Sequence, residues 1–430
     1  MHQDQTNTAL LQQVMQDGAC DLHLHTNYSD GSDSPQQLVD RVLAAGLRSF
    51  AITDHDHIGA LAPAKEYLNY LESNGKIKPC HPRFIPGVEL SVDQNGQELH
   101  LLGYFPSGGE SRIKPFLDEQ FALRQRRNQM MIKRLRDLGY EISDTEFESV
   151  GSGATGRLQA AHLLLQHGYV NNIQQAFDEL LSEGKPGYIS RTRPDMITAI
   201  NAVHEASGLS VLAHPALYGW CSGRPMVDKR LIGHLTAFKQ SGLDGVEAYH
   251  AETSKSEQLE ISACCLALGF LRTAGSDDHG TNKNRLLMYD RTSRFPDRKE
   301  LLVVGALVRL DSDAQTPRYL LCRRSGSGRH DGFWELPGGK VEPGESLEMA
   351  LYRELQEELS VSAAIGPLHA IIWHDYPDDR VVLAVLETKL DPDHLVLLDH
   401  DQFVMATAEE ALHLPLLPPD VHLFESLLSE

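Results

Sequence analysis

The chain has 430 residues, 41 % of them apolar, which suits two or three domains with separate cores and excludes a single small module. Its 39 Lys and Arg stand against 60 Asp and Glu, a formal charge of -21, so it does not hold polyanions through a broad basic surface. From Lys299 onward there are 10 basic and 24 acidic residues, and that asymmetry points to two units.

The first residues, MHQDQTNTALLQQVMQDGAC, lack a basic start followed by an apolar core. No apolar run approaches the ~18 residues that span a bilayer, so the expectation is a soluble, cytoplasmic protein. The six cysteines include no C-x-x-C pair and read as reduced thiols. After this N-terminal tail, short apolar runs at 20–25, 48–53, 84–90, 98–104, 209–213, 243–248 and 270–275 alternate with helical stretches. Such runs predict parallel strands with crossovers, in an α/β barrel or open sheet. Residues 107–205 break the rhythm and read as a helical insertion over the barrel mouth. A polar connector near Arg291–Arg298 precedes a new strand, LLVVGALVRL, and a second α/β pattern.

Nearly every run in the first part ends in a metal-ligating side chain: His23 and His25, Asp54 and His55, Glu89, His100, His214, Glu247, then Asp277 and His279. In an α/β barrel the C-terminal strand ends form one rim, so these groups would converge. His23 and His25, at i and i+2, share one face of a strand. Taken singly each is a polar strand end or, like Asp30, a turn carboxylate. Jointly, so many imidazoles and carboxylates are costly to bury unless metal or hydrogen bonds satisfy them. Glu247 and His250 fit the pattern without an assignable role, and Asp54 reads as an orienting group rather than a ligand.

DLHLHTNYSDGS, AITDHDH, GVEL, LAHP and GSDDHG resemble the ordered motifs of the PHP superfamily of phosphoesterases, over about residues 18–290. The likeness is strongest to the branch of ribonuclease AM type, in which a helical cap interrupts the barrel. It implies a distorted (β/α)7 barrel with three divalent ions. His23, His25, Glu89 and Asp277 would hold one, Asp30, His55 and His279 a second, and Glu89, bridging, with His100 and His214 the third. The donor mix suits manganese, iron or zinc. Arg157 and Lys185 match basic residues of the family's cap and are candidate phosphate contacts. Asp278 stands where the family more often has an aromatic. The run Arg124, Arg126 and Arg127 reads as a solvated helix face, with the lining of a path for a polynucleotide tail as the alternative. The branch removes a phosphate from nucleoside 3′,5′-bisphosphates and degrades short RNA from the 5′ end. A histidinol-phosphate type of phosphatase is the alternative for this part.

In the second unit Ser346 predicts a helix cap with Glu348 in the first turn. Leu351, Leu355 and Leu359 form a docking stripe, and Glu354, Glu357 and Glu358 share an arc of about 100°. Like charges at i, i+4 repel, so the cluster calls for cations. From Gly339 the segment resembles the Nudix box, with Ser360 where the motif has Gly. Residues 299–430 look most like the MutT-type branch, an α/β/α domain. The resemblance implies that Glu354, Glu357 and Glu358 bind magnesium or manganese and that Glu345 pairs with Arg353. It further implies Arg324 as a nucleotide contact, Glu387 as a further metal-binding or basic carboxylate, and Asp420 near the base edge. Trp334 and Phe333 read as core.

The expected protein is a two-domain hydrolase of nucleotide phosphate linkages. The first half would act on nucleoside bisphosphates and short RNA, the second as a pyrophosphohydrolase of a nucleoside triphosphate, 8-oxo-dGTP or CTP-like. The competing expectation is a Nudix unit that senses a nucleotide without hydrolysing it. No stable nucleic-acid complex, membrane association or protein partner is expected.

Overall fold

The structure is a computed structural model, and it describes residues 2–149, 156–190, 192–283, 299–310, 316–325 and 330–429. The expected connector at 291–298 lies outside the described residues. By packing, the chain forms two compact units. The first gathers Met1–His214, Phe238–Glu252 and the segment from Leu271, and the second Pro215–Ala237, Thr253–Phe270 and the C-terminal residues.

Residues expected to be a tail form helix α1 (His2–Asp17). Leu11, Val14 and Met15 are buried, at the i, i+3, i+4 spacing that puts them on one face, and Asn7 Nδ2 donates to Ser207 O at 2.8 Å.

Seven strands follow: β1 (Cys20–Asp21), β2 (Ser49–Ile52), β3 (Arg83–Gln94), β4 (Gln97–Tyr104), β5 (Leu209–Leu212), β6 (Gly245–His250) and β7 (Leu271–Gly275). They pair in sequence order. Leu22 N–H donates to Ala274 O at 2.9 Å, and Leu24 bridges Asp278 in parallel, so the sheet nearly closes into a distorted barrel. One expectation fails here: β4 is antiparallel to both β3 and β5. Asn95 and Gly96 link β3 to β4 with φ of 53° and 86°, the left-handed pair of a tight hairpin turn, which leaves no room for a crossover.

Helices α2 (Pro35–Ala44) and α3 (Leu61–Ser73) cover β2. Ser34 caps α2 by a reciprocal exchange with Gln37, and Leu38, Val42, Phe50, Ile52, Ala64 and Leu68 share one core. Burying each large side chain contributes about 2 kcal/mol.

The insertion contains α4 (Lys114–Asp137), α5 (Asp144–Ser149), α6 (Arg157–Gln166) and α7 (Ile173–Ala176), the last continuing into a π-helical turn to Leu181. Its own core joins Met131, Ile132, Leu135, Leu163, Leu164 and Leu181. Helix α8 (Met196–Glu205), within the expected insertion, packs instead against β3, β4 and β5. The arginine run is not a solvated face. Arg124 and Arg127 are buried and only Arg126 is exposed, because i and i+3 lie on the inner side of α4.

The second unit includes most of α9 (Lys229–Gln240) and α10 (Lys255–Leu268). Its sheet comprises β8 (Lys299–Leu310), β9 (Arg318–Arg324), β10 (Trp334–Glu335), β11 (Ala364–Asp375) and β12 (Asp379–Lys389), with β13 (His400–Ala406) paired to β9. Helix α11 (Leu347–Leu359) buries Ala350, Leu351, Leu355 and Leu359. The short α12 (Ala408–Ala411) and α13 (Pro418–Leu427) complete it. Trp334 is core, with Leu336, Ile372 and Phe424. All six cysteines are free, and among the described residues no helix is long and apolar enough to cross a membrane.

Candidate active sites

Glu89, fully buried on β3, is the hub of the first unit. Its Oε2 lies 3.2 Å from His23 Nε2, 3.2 Å from His25 Nε2 and 3.0 Å from His55 Nδ1. Its Oε1 lies 2.8 Å from His100 Nδ1 and 3.3 Å from His214 Nε2. Asp277 Oδ1 faces His23 and His25 at 3.5 and 3.2 Å. Asp30 Oδ1 is 3.0 Å from His279 Nε2, and its Oδ2 3.7 Å from His55 Nε2.

Three groups offer ligand atoms close enough for one ion each: His23, His25, Glu89 and Asp277; His25, Asp30, His55 and His279; and His55, Glu89 and His100. The structure thus brings all nine expected ligands to one rim, with His25 reaching two groups and His214 meeting the third through Glu89. The nitrogens His23 Nε2, His25 Nε2, His55 Nδ1 and His279 Nε2, and Glu89 Oε2, are buried with no hydrogen bond of acceptable geometry. Such atoms are costly to leave so, and the donor set fits divalent cations. His214 and Asp277 have φ of 31° and 53°, a left-handed backbone that a non-glycine residue adopts at a cost and that is typical of functional sites.

Burial opposes charge on Glu89, yet His55, His23 and His100 hold its carboxyl well below the usual range. Burial likewise disfavours a charged His25, but Asp277 and Glu89 raise it to about 9.

Asp54 is not at the cluster. It accepts from Thr26 N–H at 2.7 Å, Thr26 Oγ1 at 2.6 Å and Ser29 Oγ at 2.7 Å, which fixes the loop that presents Asp30. Asp278 accepts from Arg41 Nη1 at 2.9 Å. Lys283, which the sequence did not single out, donates to Asp277 Oδ2 at 2.8 Å. In the cap, Arg157 lies over the Tyr188 ring at 5.8 Å and Lys185 is exposed. Among the described residues neither forms a hydrogen bond or ion pair with a candidate ligand.

In the second unit, Ser346 Oγ caps α11 by accepting from Met349 N–H at 3.2 Å. Glu345 takes Arg353 Nε and Nη2 at 2.8 Å each, and this pairing holds its carboxyl down at about 2. Arg353 also reaches Glu354 Oε1 at 2.8 Å and Glu357 Oε2 at 3.2 Å. Glu358 Oε2 accepts from Gly338 N–H at 3.1 Å, and burial raises its carboxyl to about 7. A Cβ on Gly339 would overlap the Glu354 carboxylate, so glycine permits the loop to lie against the helix. Ser360 takes the left-handed conformation at φ 49° that the box glycine would adopt freely.

Glu354, Glu357 and Glu358 line a cavity of about 620 Å³ with Arg324, Glu335, Asp420, His330 and Tyr376. Burial pushes Asp420 up to about 8, although its Oδ1 accepts from Leu336 N–H at 3.0 Å. Glu335 was missed: it binds Arg324 Nη1 through both oxygens at 2.9 Å and lies 3.3 Å from His400 Nε2. No local feature of the sequence marks it. Glu387 is not brought to this cavity. It is 57 % exposed, 3.6 Å from His369.

Comparison with known proteins matches residues 21–219 to the PHP domain and residues 299–427 to the NUDIX domain. A 5′-3′ exoribonuclease, Rnm, of Escherichia coli is 30 % identical over 261 residues, 60 % of this chain and 84 % of that protein. A 3′,5′-nucleoside bisphosphate phosphatase of Chromobacterium violaceum is 26 % identical over 60 % of this chain and 86 % of its own length. A CTP pyrophosphohydrolase of Escherichia coli is 33 % identical over 144 residues, 30 % of this chain and 93 % of that protein.

Proposed function

The chain belongs to the PHP-domain family through its N-terminal part and to the NUDIX family through its C-terminal part, and from that premise we propose a bifunctional hydrolase of nucleotide phosphate linkages. It is an enzyme of metal-dependent families. The two domains are taken as 18–290 and 299–430, in a cytoplasmic setting.

The first acts on nucleoside 3′,5′-bisphosphates and short RNA 5′ ends. What carries this reading is the convergence of five imidazoles on the buried carboxylate of Glu89 at 2.8–3.3 Å. Three ions, of manganese, iron or zinc, would be held by His23, His25, Glu89 and Asp277, by Asp30, His55 and His279, and by Glu89, His100 and His214. Bound cations would acidify a water and neutralise phosphate charge. Arg157 and Lys185, on the cap, would hold the second phosphate of the substrate. The test is phosphate release from adenosine 3′,5′-bisphosphate with manganese. Asp277→Ala should lower it at least ~100-fold, and a rate equal to wild type overturns the assignment.

The second domain removes pyrophosphate from a nucleoside triphosphate, an oxidised purine first and a pyrimidine second. Its support is the complete carboxylate set Glu354, Glu357 and Glu358 on one wall of a nucleotide-sized cavity. These would hold magnesium or manganese, while Glu345 fixes Arg353 across the loop. Arg324 and Asp420, which line the same cavity, would contact the nucleotide, and Glu387, outside that lining, is given no part in this proposal. A panel of triphosphates including 8-oxo-dGTP and CTP tests it. Pyrophosphate release by Glu357→Gln equal to wild type would sink the assignment.

A further inference from the structure

Glu247 stands outside every ligand set, yet both its oxygens are committed to them. On β6 and fully buried, it places Oε1 3.1 Å from His23 Nδ1, and its Oε2 accepts the backbone N–H of His214 at 2.9 Å. The opposite nitrogen of the His23 ring, Nε2, is the one facing Glu89 and Asp277. An ionised carboxylate only accepts. In the neutral ring the proton therefore sits on Nδ1 and the lone pair on Nε2, where a cation needs it.

The second oxygen acts on a different ligand. His214 carries φ 31°, a backbone state that needs support from its surroundings, and its N–H is tied to Glu247. Space for this bridge comes from Gly275 on β7: a Cβ there would overlap both His23 Cβ and Glu247 Oε1.

We propose that Glu247 is a positioning residue shared by two ligand sets, fixing the tautomer of His23 and the backbone of His214 with one carboxylate. This rests on the metal-binding reading of the site and not on the identity of its substrate. Glutamine keeps the shape but has one acceptor oxygen, so it cannot serve both donors at once.

The experiment titrates manganese alone into the metal-stripped full-length chain, with and without Glu247→Gln. Glu357→Gln is present in both arms to weaken binding by the C-terminal carboxylates. Expected is a loss of about 10–100-fold in affinity for at least one ion. The metal-free melting temperature should stay near that of the parent, and ¹⁵N-histidine spectra, read at a pH where the ring is neutral, should show His23 losing its fixed Nδ1–H tautomer. Affinity within twofold of the parent overturns the proposal. If Glu247→Gln does not fold, Glu247→Asp is measured instead; its shorter reach should also weaken manganese binding, and parental affinity again overturns the idea. Phosphate release from adenosine 3′,5′-bisphosphate by the otherwise unsubstituted chain is read separately. Manganese binding without that release refutes the substrate, while the affinity comparison still decides Glu247.

Discussion

Arg124 of α4 donates through Nη2 to Asp56 Oδ2 in an ion pair of which both members are buried. Asp56 follows the candidate ligand His55 directly, and its Oδ1 accepts Ser91 N–H at 3.0 Å, so the pair ties the inserted helix to the metal rim. Removing one member of a buried pair strands the other charge, at a cost of about 3–5 kcal/mol. Arg124→Ala should shift the urea midpoint accordingly, while exposed Arg126→Ala should change stability by no more than about 0.5 kcal/mol. Equal midpoints for the two variants would show that the pair does not anchor the helix.

Metal removal has a predictable pH signature. Glu89 and Asp277 raise His25 to about 9 against the cost of burial, so a cation must displace a proton there. Apparent manganese affinity should rise with pH, by up to about tenfold per unit for each proton released, and level off near pH 9. Saturation at a hundred times Kd should stabilise the fold by about 2.7 kcal/mol, read as a melting shift reversed by chelator. Calorimetry in buffers of different ionisation enthalpy measures the protons.

Asp420 gives a second pH dependence, of opposite direction. Burial raises its folded pKa from 3.8 to about 8, so the folded state keeps a proton that the unfolded state has lost. The associated stability is complete below pH 3.8 and is lost as pH rises towards 8. Relative to Asp420→Asn, which does not titrate, the wild type should lose about 1.4 kcal/mol per pH unit within that window. Parallel melting curves for the two proteins from pH 5 to about 8 would disprove the buried, protonated state.

Ser360 closes α11 at φ 49°. A left-handed conformation costs a residue with a Cβ roughly 1–2 kcal/mol, and glycine returns about 0.5–1 kcal/mol of that as extra freedom in the unfolded chain. Ser360→Gly should therefore stabilise the C-terminal unit by about 0.5 kcal/mol, seen as a small rise in its melting transition with triphosphate hydrolysis unchanged.

The ligand rim was legible because it is written in residue type at strand ends, a property that survives without knowledge of packing. The direction of β4 was legible too, in the Asn95-Gly96 pair, but the hydrophobic runs on either side do not distinguish a hairpin from a crossover. Arg124 and Arg127 were misread because charge predicts solvent, whereas both sit on the inner side of α4 and Arg124 meets Asp56, some seventy residues away. Glu335 was invisible for a similar reason: its partners Arg324 and His400 lie on other strands, and nothing local marks a carboxylate that will be shared between them.

Gly275 and Gly339 offer no functional group, yet each stands where a carboxylate presses against the main chain, Glu247 in one unit and Glu354 in the other. A library of all single substitutions should accordingly show two silent positions as intolerant as the acids themselves, alanine included. A shortened acid opposite would restore tolerance at Gly339, whereas at Gly275 the Cβ of His23 would still bar a side chain.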